Sequence, residues 1–585
     1  MNAAAQTLPA KEFDVVVAGS GAAALTAAGM AARAGASVAL LEAGTKIGGN
    51  TAKSSGGFWV PRNRRMRERG QTDERFTESR DGALAHMAKL SYPELYRRGA
   101  ERHGLPQDLW DLNVFYYDHV AEVFQDLEDS GDLPMRMNFS MRGDELGLPT
   151  WFETEEDGAP YGRLLCPRPF RDRELPFPVV DYATDSGEVL EEARVEFLKE
   201  YGIGYDLACH LLVMAVKYGV TVALEHRVTE VVLDDDGAAI GVVAETPDGP
   251  VTVQARQGVV FGTGGMEFNP ELRKRFLRGP IVGTCGVPTN RGDFVAIGER
   301  LGVALHNMEE AWWTELPVEL CAESFEQGRL IETLHGDSMV LVNAAGERVV
   351  NEKESYNERG KAHLVKDASG GFPNRVLIQV FDDSVLQDDT LWATRWPVPM
   401  PDEPRPSYLI SGDTLEELAS VISRRLASLS GHTGGFALEP SFVDGLKSTI
   451  EKFNEYARAG EDPDFQRGTT LPQRYFSLDA RPDPMPNHTM YPFADRGPYH
   501  AILLGASCLG TKGGPKINVD GQIVREDGTP IPRLYGAGNC IGSPAGAGYW
   551  GGGVTLGLAI TYGYHAGHNV VREPRRAATP AQAAL

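Results

Sequence analysis

Residues 12–18, Glu-Phe-Asp-Val-Val-Val-Ala, form an apolar, β-branched run with no alternating polar face. Such a run predicts a strand covered on both sides, as in a parallel sheet. The next stretch, Gly19 to Gly35, is rich in Ala and suits a helix packed tightly on that sheet. Ser37–Leu41 is a second apolar run and ends at Glu42. Together they predict a βαβ unit. Residues 186–230 repeat the alternation more weakly, with a helix over 203–218 and a strand at Thr221–Glu225. Val228–Leu233, Ala238–Ala244 and Val251–Ala255 predict a small meander around a turn at Asp234–Gly237. Gly258–Gly262 predicts a further strand. The pattern then loses its regularity over 281–480, which is richer in Pro and Trp, with loops expected at Pro397–Pro406 and Glu461–Pro472. Gly-rich strand and helix patterns return over 481–573. No internal repeat is evident.

These elements predict an α/β protein. Residues 1–280 and 481–573 are expected to form a discontinuous Rossmann-like domain, and 281–480 an inserted α+β domain that takes the substrate. Residues 1–11 read as a disordered leader and 574–585 as a frayed tail.

With 585 residues, about two to four structural units are expected. The net charge of −24 argues against nucleic acid or an anionic membrane as partner, because both carry the same sign. The six cysteines are scattered and form no CxxC pair, so no metal site or redox dithiol is indicated. Reduced, buried thiols fit a cytoplasmic protein. The first 13 residues lack a basic segment followed by an apolar stretch, so no signal peptide is expected, and no apolar run reaches the roughly 18–20 residues of a transmembrane segment.

Chemistry enters at Gly19-Ser20-Gly21-Ala22-Ala23-Ala24, a GxGxxG pattern with Ala in the third place. Gly19 permits the tight turn, Gly21 lets a pyrophosphate approach the backbone, and the helix N-terminus opens towards it. Glu42, at the end of the second strand, can accept hydrogen bonds from a ribose diol. A strand before, a helix after and the distal acid make dinucleotide binding the expected function of this unit.

The loop directly after the acid indicates FAD rather than NAD. Gly48-Gly49-Asn50-Thr51-Ala52-Lys53-Ser54-Ser55-Gly56-Gly57 is a second Gly/Ser/Thr loop, able to wrap a ribityl chain and a flavin ring. Gly262-Thr263-Gly264-Gly265 ends a strand, and Leu534-Tyr535-Gly536-Ala537-Gly538-Asn539 is a strand entering a small-residue turn. Gly551-Gly552-Gly553-Val554-Thr555-Leu556-Gly557 opens the last helix and could aim amides at a flavin edge. The expected cofactor-binding set is therefore Gly19, Gly21, Ala22, Ala23, Glu42, Ala43, Gly49, Asn50, Thr51, Ser54, Ser55, Gly56 and Gly57 from the first region. Val228, Gly262, Thr263, Gly264, Gly538, Asn539, Gly553, Thr555 and Leu556 complete it.

With these motifs at both ends, nearly the whole chain resembles the fumarate reductase/succinate dehydrogenase flavoprotein superfamily. In that group a His typically precedes a Thr-x-Gly-Gly segment. Here the segment is Cys508-Leu509-Gly510-Thr511-Lys512-Gly513-Gly514, without a preceding His, and Asn50-Thr51 stands where a covalent-flavin His would be. Both departures argue for non-covalent FAD and against a C4-dicarboxylate substrate. Several segments are similar to the 3-ketosteroid Δ1-dehydrogenase branch instead: Ser55-Gly56-Gly57-Phe58-Trp59-Val60-Pro61, Gly162-Arg163-Leu164-Leu165-Cys166-Pro167-Arg168-Pro169-Phe170, Ala304–Trp313 and Asn351-Glu352-Lys353-Glu354-Ser355-Tyr356. Gly548-Tyr549-Trp550-Gly551-Gly552-Gly553 is like that branch's Tyr-Pro-Gly-Pro-Gly, with Trp550 and Gly552 in place of the prolines. The resemblance implies that the Tyr549 hydroxyl and the Gly553 amide hold a ketone oxygen. It implies Tyr356 as the base for the α-proton and Tyr116 as its support.

The implied reaction makes physical sense. Desaturation beside a ketone needs donors on the carbonyl, a base for the α-proton and a hydride acceptor at the β-carbon. The expected substrate is a 3-ketosteroid or a smaller cyclic ketone such as an oxocyclohexanecarboxylate, with a quinone-type electron acceptor. NAD(P)H is not expected, since no second nucleotide fingerprint is present. The competing functions are a reductase of an enone or unsaturated acid and a non-catalytic flavin subunit. Trp312-Trp313 reads as core or pocket wall, the Arg62–Arg69 run as a solvated face, and His500 as a structural histidine.

Overall fold

The structure is a computed structural model that describes residues 8, 11–138, 146–149, 159–170, 174–181, 203–388, 395–475, 477 and 485–577. The weak alternation over 186–202 and most of the leader lie outside them. The expected α/β fold is present.

Strand Glu12–Ala18 lies inside an eight-stranded sheet ordered Gln522–Val524, Pro530–Gly536, Val251–Phe261, Glu12–Ala18, Val38–Leu41, Thr221–Ala223. It pairs in parallel with a strand on each side, Val16 facing Ala39 and Val259. Val15, Val16 and Val17 are wholly buried, which explains the unbroken apolar run. Burying each contributes about 1.5–3 kcal/mol. Arg227–Leu233 and Ala239–Glu245 form an antiparallel ribbon on Val251–Phe261, the expected meander. Strand Pro530–Gly536, from the far end of the chain, joins the same sheet in parallel.

Helix Ala22–Arg33 packs on the last helix, Val554–Val570. A Cβ added at Gly563 would stand 2.4 Å from the Ala23 carbonyl oxygen, and one at Gly567 2.4 Å from that of Ala27. The two helices thus meet backbone to backbone, and their Ala and Gly content serves that approach.

The middle region is more regular than its pattern suggests. A six-stranded sheet is built around Tyr499–Thr511, which pairs with Gly283–Thr284, Ala311–Pro317, Val376–Asp382 and Ile410–Gly412; Met339–Val342 extends it. All of Val376–Asp382 is buried. One of its faces packs with Leu418, Ile422 and Leu446 from helices Leu415–Ser428 and Phe442–Ala459, the other with Met339, Leu341 and Val385. Covered on both sides, these strands have no period of two to read. Strand Tyr499–Thr511, expected with the second segment of the cofactor domain, makes all its strand pairings with the middle region.

Helix Arg64–Arg69 is tied to helix Gln107–Asp129 by Arg64–Asp129 and Arg65–Glu128 ion pairs, both 2.5 Å. The arginine run is therefore a paired face, half-buried except at the exposed Arg67. Arg575 and Arg576, in the expected tail, pair with Asp14 and Asp234. No helix among the described residues is long and apolar enough to cross a membrane.

Candidate active site

A long cavity runs from the turn after the first strand to the start of the last helix. Its near end is the Gly19 turn. Gly19 adopts φ +98°, and a Cβ there would stand 2.4 Å from the Gly262 carbonyl oxygen. Only glycine lets the two strand ends approach this closely. A Cβ at Gly21 would meet only Thr51 Oγ1 at 3.5 Å and the Gly48 oxygen at 3.9 Å, so this position lies open. Thr51 Oγ1 accepts from the Ala22 amide at 2.9 Å and fixes the helix start against the second loop.

Glu42 accepts from Ser20 Oγ at 2.5 Å and from the Gly44 amide at 2.6 Å. Burial raises its pKa, against the lowering effect of these bonds. His226, Val228, Thr289 and Asp293 line the cavity too. Asn50 Nδ2 donates to Glu267 at 2.9 Å and to the Leu509 carbonyl at 3.0 Å, while its Oδ1 accepts from the Val287 amide at 2.8 Å. Asn50 thus knits three separate chain segments around the cavity wall.

Every residue of the expected cofactor set lines this cavity except Gly56. A Cβ at Gly56 would come within 2.4 Å of the Ile203 backbone, so Gly56 shapes the loop from behind. The cavity fits a dinucleotide. It has an open glycine turn at a helix N-terminus, a buried acid next to it and small residues along its length.

At the far end stand Tyr356 and Tyr549, both buried. The Tyr356 hydroxyl donates to the Tyr549 hydroxyl, which also accepts from the Gly553 amide at 3.4 Å. Tyr356 opens helix Tyr356–Ala362, capped by Ser355. That helix is held on strand Ala311–Pro317 by the buried Arg359–Glu315 pair at 2.5 Å and by a bond from the Trp313 amide to Asn357 at 3.1 Å. Gly553 precedes the last helix at φ +84°, where a Cβ would stand 2.6 Å from Gly57 backbone atoms. Burial, together with the neighbouring Tyr549, pushes the Tyr356 pKa well above its ordinary value. Burial pushes Tyr549 up to about 12.

Trp550 takes the place of a proline in the resembled loop, and its role is visible. Its Nε1 donates to Ser91 at 2.8 Å, its carbonyl meets His86 Nε2 at 2.8 Å, and its ring packs on Trp59 and Tyr116. A side-chain anchor thus restrains the loop where a proline ring otherwise would. Trp312 stands behind Tyr549, outside the cavity lining, with ring centroids 5.8 Å apart, and donates to Asn539 at 2.9 Å.

Tyr116 is not brought to the tyrosine pair. Its hydroxyl donates to the Trp59 carbonyl at 2.5 Å, and it forms no part of the cavity wall. The expectation that it supports Tyr356 is corrected: burial on helix Gln107–Asp129 turns its hydroxyl to a backbone partner. His500 bonds Ser411 at 2.8 Å and Asp383 at 3.3 Å, away from the cavity, as a structural histidine does. Sequence reasoning missed Lys53, Cys285, Leu330, Glu332 and Trp396, which also line the cavity. Lys53 gave a faint signal, lying inside the Gly/Ser/Thr loop; the others come from the region without periodicity.

Fold and cavity define an FAD-dependent oxidoreductase. The chain belongs to the FAD binding domain family, whose model matches residues 14–556. It is 31% identical over 591 residues to 4-oxocyclohexanecarboxylate 2-dehydrogenase of Sinomonas cyclohexanicum, covering 96% of this chain and 93% of that one. It is 29% identical over 603 residues to 3-oxosteroid 1-dehydrogenase of Mycolicibacterium smegmatis, covering 95% and 96%. Its fold matches that of 3-ketosteroid delta1-dehydrogenase from Sterolibacterium denitrificans in complex with 1,4-androstadiene-3,17-dione, with a TM-score of 0.75, 23% identity, and coverage of 96% of this chain and 100% of that one.

Proposed function

We propose that this protein introduces a carbon–carbon double bond next to the ketone of a cyclic substrate. The observation that carries this reading is the hydrogen-bonded series Tyr356, Tyr549 and Gly553 at the end of the cofactor cavity. The Tyr549 hydroxyl accepts from both neighbours, so its own proton can be turned to a substrate oxygen. The Gly553 amide, at a helix N-terminus and now only a long 3.4 Å donor to Tyr549, can be shared with the same oxygen. Two neutral donors in a dry site stabilise the enolate oxygen that forms when the α-proton leaves. The Tyr356 oxygen, one hydrogen bond away, takes that proton in its ionised, phenolate form. FAD bound along the cavity, without a covalent link, supplies the acceptor for the hydride that leaves the β-carbon. Proton and hydride loss together leave the enone.

Both named relatives act on cyclic ketones, a monocyclic carboxylate in one and a steroid in the other, which supports the substrate class. We propose a quinone-type acceptor for the electrons, since the chain holds one nucleotide fingerprint. The six free cysteines support a cytoplasmic location.

The test is anaerobic flavin reduction by three saturated compounds: a 3-ketosteroid, an oxocyclohexanecarboxylate and a dicarboxylate. Loss of the oxidised-flavin band with either ketone, and not with the dicarboxylate, is expected. Loss with neither ketone overturns the proposal. The steroid-to-monocycle ratio measures how much of the cavity the substrate fills.

A further inference from the structure

Lys512 belongs to the Thr511-Lys512-Gly513-Gly514 segment, and its side chain is fully buried. Its Nζ donates to the carbonyl oxygens of Gly548 at 2.6 Å and Gly546 at 3.2 Å. These carbonyls belong to the loop that leads directly into Tyr549. The ammonium also lies 4.1 Å from the centroid of the Trp312 ring. That ring stands edge to face with Tyr549, centroids 5.8 Å apart, and donates to Asn539 on the cavity wall. One cation therefore touches both supports of Tyr549, the loop before it and the ring behind it.

The backbone of Lys512 is equally fixed. Its amide donates to the Glu310 carbonyl and its carbonyl accepts from the Ser543 amide, each at 2.9 Å. The Glu310 carboxylate is engaged by Arg278 and by Trp313 Nε1 at 3.2 Å. Lys512 itself makes no ion pair among the described residues; its ammonium is solvated by carbonyls and an aromatic face. A buried cation without a carboxylate partner is expensive, and such groups concentrate where charge is used. Burial lowers its pKa to about 7, with Glu310 and Glu358 opposing that and Lys361 and Arg278 adding to it.

We propose that Lys512 is a positioning residue: its ammonium holds the loop and Trp312 so that the Tyr549 hydroxyl and Gly553 amide converge on one oxygen, and its charge favours the anionic form of an oxygen bound there. The proposal rests on the reading of Tyr549 and Gly553 as the ketone-oxygen site. A plain loop staple needs the two hydrogen bonds alone. The charge separates the two roles.

The test uses FAD-loaded wild type with Lys512→Met, Lys512→Gln and Lys512→Arg. The probe is a set of substituted phenols of graded acidity, which mimic the enol and enolate oxygen and whose bound ionisation state is read by absorbance. Below about pH 7, where Lys512 carries its charge, wild type and Lys512→Arg are expected to favour the phenolate. Lys512→Met and Lys512→Gln are expected to bind phenolate about tenfold or more weakly, and ketone-driven flavin reduction should slow by a similar factor with KM little changed. Phenolate affinity within about twofold of wild type in Lys512→Gln contradicts the charge role. The same result in Lys512→Met overturns the proposal altogether. If Lys512→Met does not fold or loses flavin, the Gln and Arg pair decides. If wild type oxidises no ketone, the functional reading falls and the phenol titration still judges Lys512. If wild type oxidises ketones and the Met and Gln variants match it in rate and phenolate affinity, Lys512 falls alone.

Discussion

Tyr356 is an unusual base, because a phenol gives up its proton only near pH 10 even in water. Burial and the adjacent Tyr549 push it higher. A raised pKa means that the phenolate fraction grows throughout the accessible pH range, about tenfold per unit below that pKa. In Lys512→Gln, which has no ammonium to lose above about pH 7, the rate of flavin reduction by ketone should therefore climb with alkaline pH and show no plateau below about pH 10. A rate that is flat from neutrality upwards contradicts a buried tyrosine base. Tyr549 acts on the oxygen rather than the proton, so Tyr549→Phe should keep its flavin and lose about 10²–10³ in turnover. Single-turnover absorbance kinetics measure both. Tyr356, Tyr549 and Gly553 were legible because each sits in a short recognisable segment. Tyr116 was not, because Tyr116 and Tyr117 are both buried on one helix and only their three-dimensional partners separate them. Glu332, Cys285 and Trp396 belong to no motif; they reach the cavity through the packing of the middle region.

The elements that hold the site depend on close approach. Helix Val554–Val570 brings Gly553 to the cavity only because it lies against helix Ala22–Arg33 at backbone distance. Gly563→Ala would place a Cβ 2.4 Å from the Ala23 carbonyl oxygen, which must then move. Overpacking of this kind costs about 1–3 kcal/mol, and the strain falls on the segment that also presents Gly21 and Gly553. Chemical denaturation should show that loss together with weaker FAD retention; unchanged stability would mean that the helices can part freely. The first βαβ unit was readable because its strands are unbroken apolar runs and its turn is made of glycines. The sheet around Tyr499–Thr511 was not, because its strands are buried on both faces. The helices covering it have small polar-rich stretches beside their apolar stripes, such as Leu418, Ile422 and Leu426.

At the scale of the whole molecule, the cavity is assembled from distant parts of the chain. The Gly19 turn comes from its beginning, Tyr356 from the middle sheet region, and Tyr549 and Gly553 from near its end. A single sheet joins Glu12–Ala18 to Pro530–Gly536 and so carries the first and last of these. The cofactor cavity was largely foreseeable, since glycine turns and a strand-end acid have local signatures. The substrate end was less so, because its wall comes from a region whose pattern gives no elements. The central claim is that Tyr356, delivered by the middle region, takes the proton from a ketone held by Tyr549 and Gly553 of the C-terminal region. The most direct measurement mixes FAD-loaded Tyr356→Phe anaerobically with a ketone that reduces the wild-type flavin. The account predicts unchanged flavin content and a reduction rate lower by about 10²–10⁴. A rate near that of wild type would remove Tyr356 from the reaction and contradict the account.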